Sequence, residues 1–411
     1  MDDVEVHGQG PCVVVGAGPV GLTAALALRR RGVRVLVLEA EPQGRDRPGS
    51  RAIGFFFPTL KRWETVLPGL GESIATSGIQ MRGYDAFYGA KRVFTTRFKP
   101  APPMRWGRAL PQRKVEERLY DEAVEHGVEF RWSAPVAGVT TDARGVLIEL
   151  ASGEKLAAPY VIAADGARSV VRKAIGVTMA GYTDPTPFII VDVDEHPDGS
   201  TPTTPGHFQY LCPELDGRNV MHMPFAGGMR IDLQCKPGDD VDYLAGPEGL
   251  REWLPKVVDP WYADHVQWVS TYRFHQVVAD SYTDPHRRVL LAGEAAHLFA
   301  PWGGRGLNSG VFDATDAAWA IAEALSTHDK AKARKVIERC AVDRRRWGLR
   351  NCAVSSRGLR IMRAQDRRMR VRRTVAARLA PLVVPAGAWL ANGPLQITLP
   401  RPGSPRSNLY Y

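Results

Sequence analysis

Three glycines near the amino terminus have the spacing of a main chain that approaches a phosphate group. Gly16, Gly18 and Gly21 form a Gly-x-Gly-x-x-Gly pattern with Pro19 inside it, between an apolar run and an Ala/Leu-rich segment. The first glycine of such a pattern permits a tight turn, the second lets the main chain approach a pyrophosphate, and the third lets the following helix pack on the strand. Free N–H groups at the start of that helix then face the anion.

One carboxylate is placed to contact the ribose of a bound nucleotide. Glu39 closes the second predicted strand, 33–38, close to the usual distance of about 20 residues beyond the glycines. Its oxygens would accept hydrogen bonds from ribose hydroxyls and disfavour a 2′-phosphate. This half of the chain is therefore predicted to bind FAD or NAD(H), and not NADP(H).

Two later segments repeat the combination of a strand end, a glycine and an acid. Asp165-Gly166 follows a strand that begins near Tyr160, and Gly293-Glu294 follows the predicted strand 289–292. The second segment continues into a glycine-dense loop that contains Pro301, Gly306, Leu307 and Asn308. Acids at strand ends can bind sugar-type hydroxyls, and such a loop lets main-chain N–H groups approach a planar ring.

Hydrophobic patterning places these motifs in an α/β fold. It predicts a strand at 12–15, helices at 22–31, 115–126 and 311–325, and alternating strands with turns between 179 and 274. We assign a discontinuous Rossmann-like domain, which would bind FAD or NAD(H), to 1–76, 103–178 and 275–372, with an inserted antiparallel-sheet domain at 77–102 and 179–274. A proline-containing, helical C-terminal segment, 373–411, is expected to wrap the surface.

Composition narrows the class of protein. The 411 residues are 44% hydrophobic and 24% charged, which is typical of a globular protein and too polar for an integral membrane contact. An acidic start and five cysteines without a Cys-x-x-Cys pair favour the cytoplasm. The net charge is +10, with many late arginines. A solvated helix face explains them better than a nucleic-acid or membrane-surface contact, but charge alone does not decide; no nucleic-acid partner is predicted.

The three motifs, in this order, resemble the p-hydroxybenzoate hydroxylase-type, single-component FAD-dependent aromatic monooxygenases. Ser50-Arg51-Ala52, the helix start at Gln112 and Tyr272-Arg273-Phe274 extend the match over most of residues 10–325. The resemblance implies that Arg51 and Gln112 contact FAD, that Asp165 and Gly166 serve FAD and NAD(P)H, and that Glu294 meets the ribityl chain. It places Pro301 near the reactive edge of the flavin and the main chain of Leu307 and Asn308 at its N1/O2 end. It also implies that the discontinuous Rossmann-like domain is an FAD-binding domain and that the inserted antiparallel-sheet domain is a substrate domain.

The same resemblance implies a reaction. FAD would accept hydride from NADH or NADPH, react with O2 and, through a flavin C4a-hydroperoxide, hydroxylate a small aromatic substrate that is phenolic or polyketide-like. Two departures stand out: Glu294 replaces the usual Asp, and Arg305 replaces a frequent Gln, which would make the loop more positive. The late arginines, including Arg344 and Arg345, are a hypothesis for the NAD(P)H groove, and His297 is interpreted as structural.

Polar residues on the predicted substrate sheet are the candidates for catalysis. Tyr210, His222 and Arg230 are singled out, while the alternation of 229–234 leaves open which strand face lines the pocket. The acids around 192–198 do not fit a calcium loop and are interpreted as a solvated turn, so no metal is predicted.

Other functions remain open at this point. The same flavin chemistry can epoxidise an alkene or insert oxygen beside a ketone, and a non-catalytic FAD-binding partner protein would keep the same fold. A flavin-dependent halogenase lacks support because its Trp-x-Trp-x-Ile-Pro segment is absent from the sequence. The choice between NADH and NADPH, the substrate and the oligomeric state, with a homodimer as one option, are not fixed by the sequence.

Overall fold

The computed structural model describes residues 10–44 and 52–395. The strands in these ranges are β1 (Cys12–Val15), β2 (Val35–Leu38), β3 (Ala52–Phe55), β4 (Gly83–Tyr88), β5 (Lys91–Arg97), β6 (Arg108–Pro111), β7 (Glu129–Arg131), β8 (Val136–Thr141), β9 (Val146–Leu150), β10 (Lys155–Ala158), β11 (Val161–Ala163), β12 (Met179–Asp194), β13 (Gly206–Cys212), β14 (Arg218–Phe225), β15 (Gly228–Gln234), β16 (Val266–Ala279), β17 (Val289–Leu291) and β18 (His297–Leu298). The helices are α1 (Pro19–Arg29), α2 (Phe57–Val66), α3 (Leu70–Thr76), α4 (Gln112–Glu125), α5 (Val170–Ala174), α6 (Val241–Ala245), α7 (Pro247–Trp253), α8 (Arg305–Leu325), α9 (Lys330–Arg363), α10 (Arg367–Leu379) and α11 (Val384–Asn392).

A parallel sheet carries the amino-terminal motif. Its strand order is β17-β11-β1-β2-β7, and each neighbouring pair is parallel. Strands β1, β2, β11 and β17 are buried along their whole length, which explains their uninterrupted apolar sequences. Since parallel strands end at one edge, residues after β1, β2, β11 and β17 are brought together there.

A second, larger sheet has the order β18-β16-β12-β15-β14-β13-β4-β5 and is antiparallel except between β13 and β4. One face, which we call the outer face, carries Val191, Ile231 and Leu233 and packs against Trp253 of α7. The inner face carries Phe188 and Met221 and packs in a cluster that includes Trp302 of the glycine-dense loop. The mixed α/β fold with a Rossmann-like parallel-sheet part and a strand-rich part is confirmed.

Helices α1 and α4 begin three residues before their predicted starts, and larger differences occur at α8 and in the C-terminal segment. Helix α8 begins at Arg305, six residues before the predicted start, because Gly304 adopts a left-handed conformation with φ +59° and so ends the loop there. The described part of the C-terminal segment, 373–395, completes α10 and forms α11, which packs on β4 and β5 and has Leu390 and Ala391 buried. Residues 396–411 lie outside the described residues, so the expectation that the segment wraps the surface stays a prediction. Within the described residues, no helix is both long and apolar enough to cross a membrane.

Candidate cofactor and substrate site

An open cavity of about 470 Å³ lies at the carboxyl edge of the parallel sheet. It brings together eleven of the residues assigned to the cofactor: Gly16, Gly18, Pro19, Glu39, Gln112, Asp165, Gly166, Gly293, Glu294, Gly306 and Leu307. These residues come from segments up to about 290 positions apart in the chain, and the parallel sheet is what makes them neighbours. Of the remaining assigned residues, Arg51 lies outside the described residues.

The turn after β1 packs closely against neighbouring main-chain atoms. Gly16 has φ +101°, and a Cβ there would lie 2.4 Å from the carbonyl oxygen of Ala164. A Cβ on Gly21 would lie 1.9 Å from the carbonyl oxygen of Gly16. Gly21 does not line the cavity; it lets α1 begin directly against the turn, so that Pro19 and Val20 in the first turn of the helix line the cavity.

The carboxylate of Glu39 is held in a fixed place at the cavity wall. It is buried and accepts hydrogen bonds from the main-chain N–H groups of Ala17 (2.6 Å) and Glu41 (3.1 Å). These bonds orient the carboxylate between β1 and β2, with the cavity on its open side. The arrangement fits an acceptor for ribose hydroxyls.

Asp165 and Gln112 are also anchored by neighbours. Asp165 accepts hydrogen bonds from the Ser169 hydroxyl (2.6 Å) and the Val171 N–H (3.1 Å) at the start of α5. Burial raises the pKa of Asp165, although these bonds oppose the change. The Gln112 amide donates to Glu116 at 2.6 Å within α4.

The start of α8 forms the opposite wall. Gly306 and Leu307 line the cavity in the first turn of the helix, where main-chain N–H groups have no partner within the helix. Asn308 is fully buried instead: its amide donates to the Gly54 and Gly304 carbonyls, and its oxygen accepts from the Thr59 hydroxyl at 2.6 Å. Asn308 thus joins α8 to the β3–α2 segment.

Three arginines that the sequence associates with the cofactors have protein partners. Arg305 is buried and donates to Asn351 of α9 at 2.9 Å. Arg344 is also buried and donates to Asp313 at 2.8 Å, and Arg345 donates to the Ala279 carbonyl at 3.1 Å. Arg344 is therefore not available to a surface groove, whereas Arg345 stays partly exposed. A contribution of the late arginines to NAD(P)H binding stays a prediction.

His297 belongs to the same buried network. Its Nε2 lies 2.7 Å from Asp313, whose carboxylate also accepts from the Gly293 N–H at 3.2 Å. Burial opposes ionisation of Asp313, but Arg344 and His297 hold its pKa below the ordinary value. The network fixes the strand end that carries Glu294.

The three catalytic candidates do not meet. Tyr210 is fully buried and its hydroxyl donates to the Leu390 carbonyl at 2.7 Å, so α11 seals it. His222 lies opposite Ile231, on the outer face, and stacks on His207 with ring centroids 4.3 Å apart. Arg230 lies on the inner face, opposite Met223 and Asp192.

Arg230 is thus the candidate that shares a face with the aromatic cluster. Its Nε donates to Asp232 at 2.7 Å, and its side chain keeps about 13% of its surface exposed. Burial opposes the charge, but Asp232 and then Asp192 raise the pKa of the guanidinium, which is therefore a cation. Asp192, interpreted from the sequence as part of a solvated turn, is fully buried because β12 pairs with β15 there.

Sequence reasoning missed residues of the cofactor cavity and of the inner face of the larger sheet. Ala134, Pro135 and Val136 line the cavity beside Glu39, and Arg168 lines it beyond Gly166. The first three follow β7, whose three-residue Glu-Phe-Arg sequence carries almost no strand signal. On the inner face, Phe188 packs against Trp302 with ring centroids 5.8 Å apart, and only the alternation of β12 could have indicated it.

The cavity fits FAD. Its glycine turn has no space for a side chain, its carboxylates lie at strand ends, and its volume falls in the range of about 300–1,000 Å³ that is common for ligand sites. Pro301 does not line this cavity; in the chain it stands between Ala300 and Trp302, which both belong to the inner-face cluster. The glycine-dense loop therefore contributes residues to the inner-face cluster and leads into Gly306 and Leu307, which line the cavity.

Comparisons with known proteins agree with this geometry. Residues 10–341 match the family model described as an FAD binding domain. The chain is 33% identical over 337 residues to a 3-(3-hydroxy-phenyl)propionate/3-hydroxycinnamic acid hydroxylase of Comamonas testosteroni, covering 78% of this chain and 53% of that protein. A protein of the same name from Mycobacterium avium is 29% identical, with 90% and 64% covered. The chain spans about half to two thirds of the length of these relatives.

Superposition on solved structures also identifies monooxygenases and hydroxylases as similar proteins. The crystal structure of p-nitrophenol 4-monooxygenase from Pseudomonas putida superposes with a TM-score of 0.71 at 26% identity, covering 92% of this chain and 96% of that one. A ternary complex of aklavinone-11 hydroxylase with FAD and aklavinone superposes with a TM-score of 0.65 at 25% identity, covering 79% and 63%.

Proposed function

The chain belongs to the FAD-binding domain family of p-hydroxybenzoate hydroxylase-type flavoproteins, and from this premise we propose that it is an FAD-dependent monooxygenase that hydroxylates an aromatic substrate. One atom of O2 would enter the ring and the other would leave as water, with two electrons supplied by NAD(P)H. The observation that carries the proposal is the cavity that collects all three motifs beside an aromatic inner face. A phenolic or polyketide-like ring fits that face best.

When bound, FAD supplies the electron transfer from NAD(P)H and the activation of O2. The chain supplies binding and orientation. The main-chain N–H groups at the start of α1 would face the pyrophosphate, Glu39 would accept hydrogen bonds from the ribose hydroxyls, and Glu294 would lie beside the ribityl chain. The N–H groups of the first turn of α8 would stabilise negative charge on the flavin ring.

The inner face excludes water from the reacting ring. Trp302 is buried and lies edge-on to Phe188 and Phe274, at centroid distances of 5.8 and 6.3 Å. Met221 and Phe208 extend the same apolar wall. A dry wall at this place protects the activated oxygen from reaction with water and strengthens every charge interaction in the pocket.

We assign Arg230 the role of binding the phenolic oxygen. Deprotonation of a phenol makes its ring more electron-rich, and the Arg230 guanidinium, on the same face as Phe188, would donate a hydrogen bond to the phenolate oxygen. Asp232 holds the guanidinium through two hydrogen bonds, of 2.7 and 3.2 Å, and so fixes its direction.

Anaerobic stopped-flow absorbance at 450 nm tests the proposed function. We expect NADPH or NADH to reduce the bound flavin slowly alone and much faster with one class of phenol or aromatic polyketide, and aerobic turnover to yield a ring-hydroxylated product. Stoichiometric FAD with no reduction by either nucleotide under any ligand would contradict the proposal and favour a binding protein. An epoxide or ester product would show that the assigned flavin site is correct but that the proposed ring hydroxylation is not the reaction.

Arg230→Met tests the assigned residue. We expect it to raise the pKa of a bound phenol, measured from its ultraviolet spectrum, and to lower kcat/KM by about 10²–10³, as for the loss of one charged transition-state contact. The matched control is Arg218→Met, because Arg218 forms a similar ion pair with Asp239 (2.6 Å). Arg218 is the first residue of β14, whereas Arg230 pairs with Met223 near the last residue of that strand. An unchanged phenol spectrum in Arg230→Met would remove Arg230 from the mechanism.

A further inference from the structure

Helix α10 carries an aliphatic stripe that no other described element covers. Val371, Val375 and Leu379 are four residues apart, and 54%, 47% and 44% of their surface is exposed. The stripe borders an open groove of about 920 Å³ between α10 and α11, with Pro385 and Ala386 on its other side. Spacing by four places the three side chains in one row along the helix.

The turn between α10 and α11 is the most exposed apolar part of the described chain. Leu382 is 85% exposed and Val384 is 69% exposed, with Val383 between them at 41%. These side chains continue the row that ends at Leu379. We call the stripe and this turn together the α10–α11 patch. Contiguous apolar surface of this kind, rather than scattered single residues, marks a contact site.

Arginines border the patch. Arg367, Arg368 and Arg372 line the groove, and Arg378 precedes the turn. Between residues 364 and 395 the sequence contains one acid, Asp366, and that residue caps α10 by accepting from the Met369 N–H. The surface around the apolar row is therefore strongly positive.

The charge identifies the kind of partner. A second copy would place one arginine-bordered row against another, with repulsion between them. The carboxyl-terminal residues 396–411 contain Arg401 and Arg406 and no acid, so they do not complement the patch. A nucleic acid would pair with the arginines but would leave the aliphatic row and turn against water. An anionic lipid surface satisfies both parts, since headgroups bind arginines and the interfacial region accepts apolar side chains.

We propose that the α10–α11 patch docks this protein on membranes that contain anionic phospholipids, with Leu382, Val383 and Val384 in the interfacial region and the arginines at the headgroups. The contact is peripheral, because α10 and α11 are too short to span the bilayer. Apolar aromatic molecules partition into the same region of a bilayer, so such docking would bring the enzyme to a local supply of substrate. The docking itself does not depend on the proposed reaction.

Vesicle flotation of the full FAD-loaded chain tests the proposal. We expect the bound fraction to be at least tenfold higher on vesicles of phosphatidylcholine with phosphatidylglycerol than on phosphatidylcholine alone, and to fall with added salt. Leu382→Ser with Val384→Ser should abolish binding, and Arg368→Gln with Arg372→Gln should weaken it on anionic vesicles. Each variant is first checked for unchanged flavin content and melting temperature.

The control changes exposed residues elsewhere. Val342→Ser with Leu349→Ser alters two aliphatic side chains on α9 that are 61% and 46% exposed, and should leave vesicle binding unchanged. Equal binding to both vesicle types, or none, would overturn the proposal. So would sedimentation showing that the native chain is a dimer and the Leu382/Val384 variant a monomer, since the patch would then be an interface between copies.

Discussion

At Gly21 the close packing of main-chain atoms leaves no space for even a methyl group. A Cβ there would lie 1.9 Å from the Gly16 carbonyl oxygen, so Gly21→Ala must shift α1 or the turn that faces the pyrophosphate. We expect the Kd for FAD, measured by quenching of flavin fluorescence, to rise at least about tenfold, or ~1.4 kcal/mol. Gly138→Ala is the control, because no heavy atom lies within 4 Å of the added Cβ. Equal affinities would show that the turn does not hold the cofactor.

The stacked histidines on the outer face predict a pH dependence of stability. Burial, and then the neighbouring His207, lower the pKa of His222 well below its ordinary value, and burial also lowers the pKa of His207, although Gln209 and Asp85 oppose this. Below about pH 6.5 the unfolded chain binds protons at these side chains that the folded chain does not. The free energy of unfolding should therefore fall as the pH is lowered from 7 to 5, by up to about 1.4 kcal/mol per pH unit for each histidine.

Urea unfolding at a series of pH values measures this slope. His222→Gln should flatten it between pH 7 and 5, whereas His328→Gln, an exposed histidine on the loop before α9, should not. A slope that stays the same in His222→Gln would mean that the buried pair titrates as it does in the unfolded chain.

At the scale of elements, Asn308 is the link between α8 and the β3–α2 segment. It is fully buried and makes hydrogen bonds to Gly54, Phe56, Thr59 and Gly304. Asn308→Ala leaves these groups without their partner, and we expect a loss of about 2–4 kcal/mol in the free energy of unfolding. Because the same helix start lines the cavity, the affinity for FAD should fall as well.

The control for Asn308 lies on the same helix. Glu323→Ala alters an exposed residue near the other end of α8 and should change the free energy of unfolding by less than about 0.5 kcal/mol. A stable Asn308→Ala variant with full flavin content would show that α8 is positioned by its packing on α1 and α9 alone.

The elements that the sequence predicts best are those with local signals. The apolar strands β1, β2, β11 and β17 and the glycine-acid motifs at their ends depend on neighbouring residues, and the cavity follows from the rule that parallel strands end at one edge. Strand β7 and helix α11 lack such signals: the first is three residues with two charges, and the second is stabilised by burial of Leu390 against β4 and β5. Tertiary packing, not propensity, forms both.

The choice between the two faces of β15 also depends on tertiary packing. Alternation separates Arg230 from Ile231, but only the position of α7 on one side and Trp302 on the other makes one face outer and one inner. Asp192 shows the same limit, since its acidic neighbours in sequence suggest a solvated turn while its pairing partner across the sheet is Arg230. Whether such a residue is buried, and on which face, depends on residues that are distant in the chain. The periodicity of a single strand does not reveal those residues.

At the scale of the whole molecule, the net charge of +10 predicts how NAD(P)H, the anionic co-substrate of the proposed reaction, would reach the protein. A positive protein attracts NAD(P)H before contact, and salt screens this attraction over a Debye length of about 10 Å at 0.1 M. We therefore expect kcat/KM for NADPH to fall severalfold between low and physiological ionic strength. It should fall more steeply than for NADH, because NADPH carries an additional phosphate.

Two arginine variants distinguish attraction of NAD(P)H by the charge of the whole protein from attraction by a single arginine at the cavity. Arg168 lines the cofactor cavity, whereas Arg346 is an exposed residue of α9 outside it. If the field of the whole chain steers the nucleotide, Arg168→Gln and Arg346→Gln each flatten the salt dependence slightly and equally. If a local contact dominates, only Arg168→Gln flattens it, and the KM for an uncharged phenol stays the same in both variants. A kcat/KM that does not change with salt would contradict both accounts, because it would mean that encounter with the nucleotide does not limit the reaction.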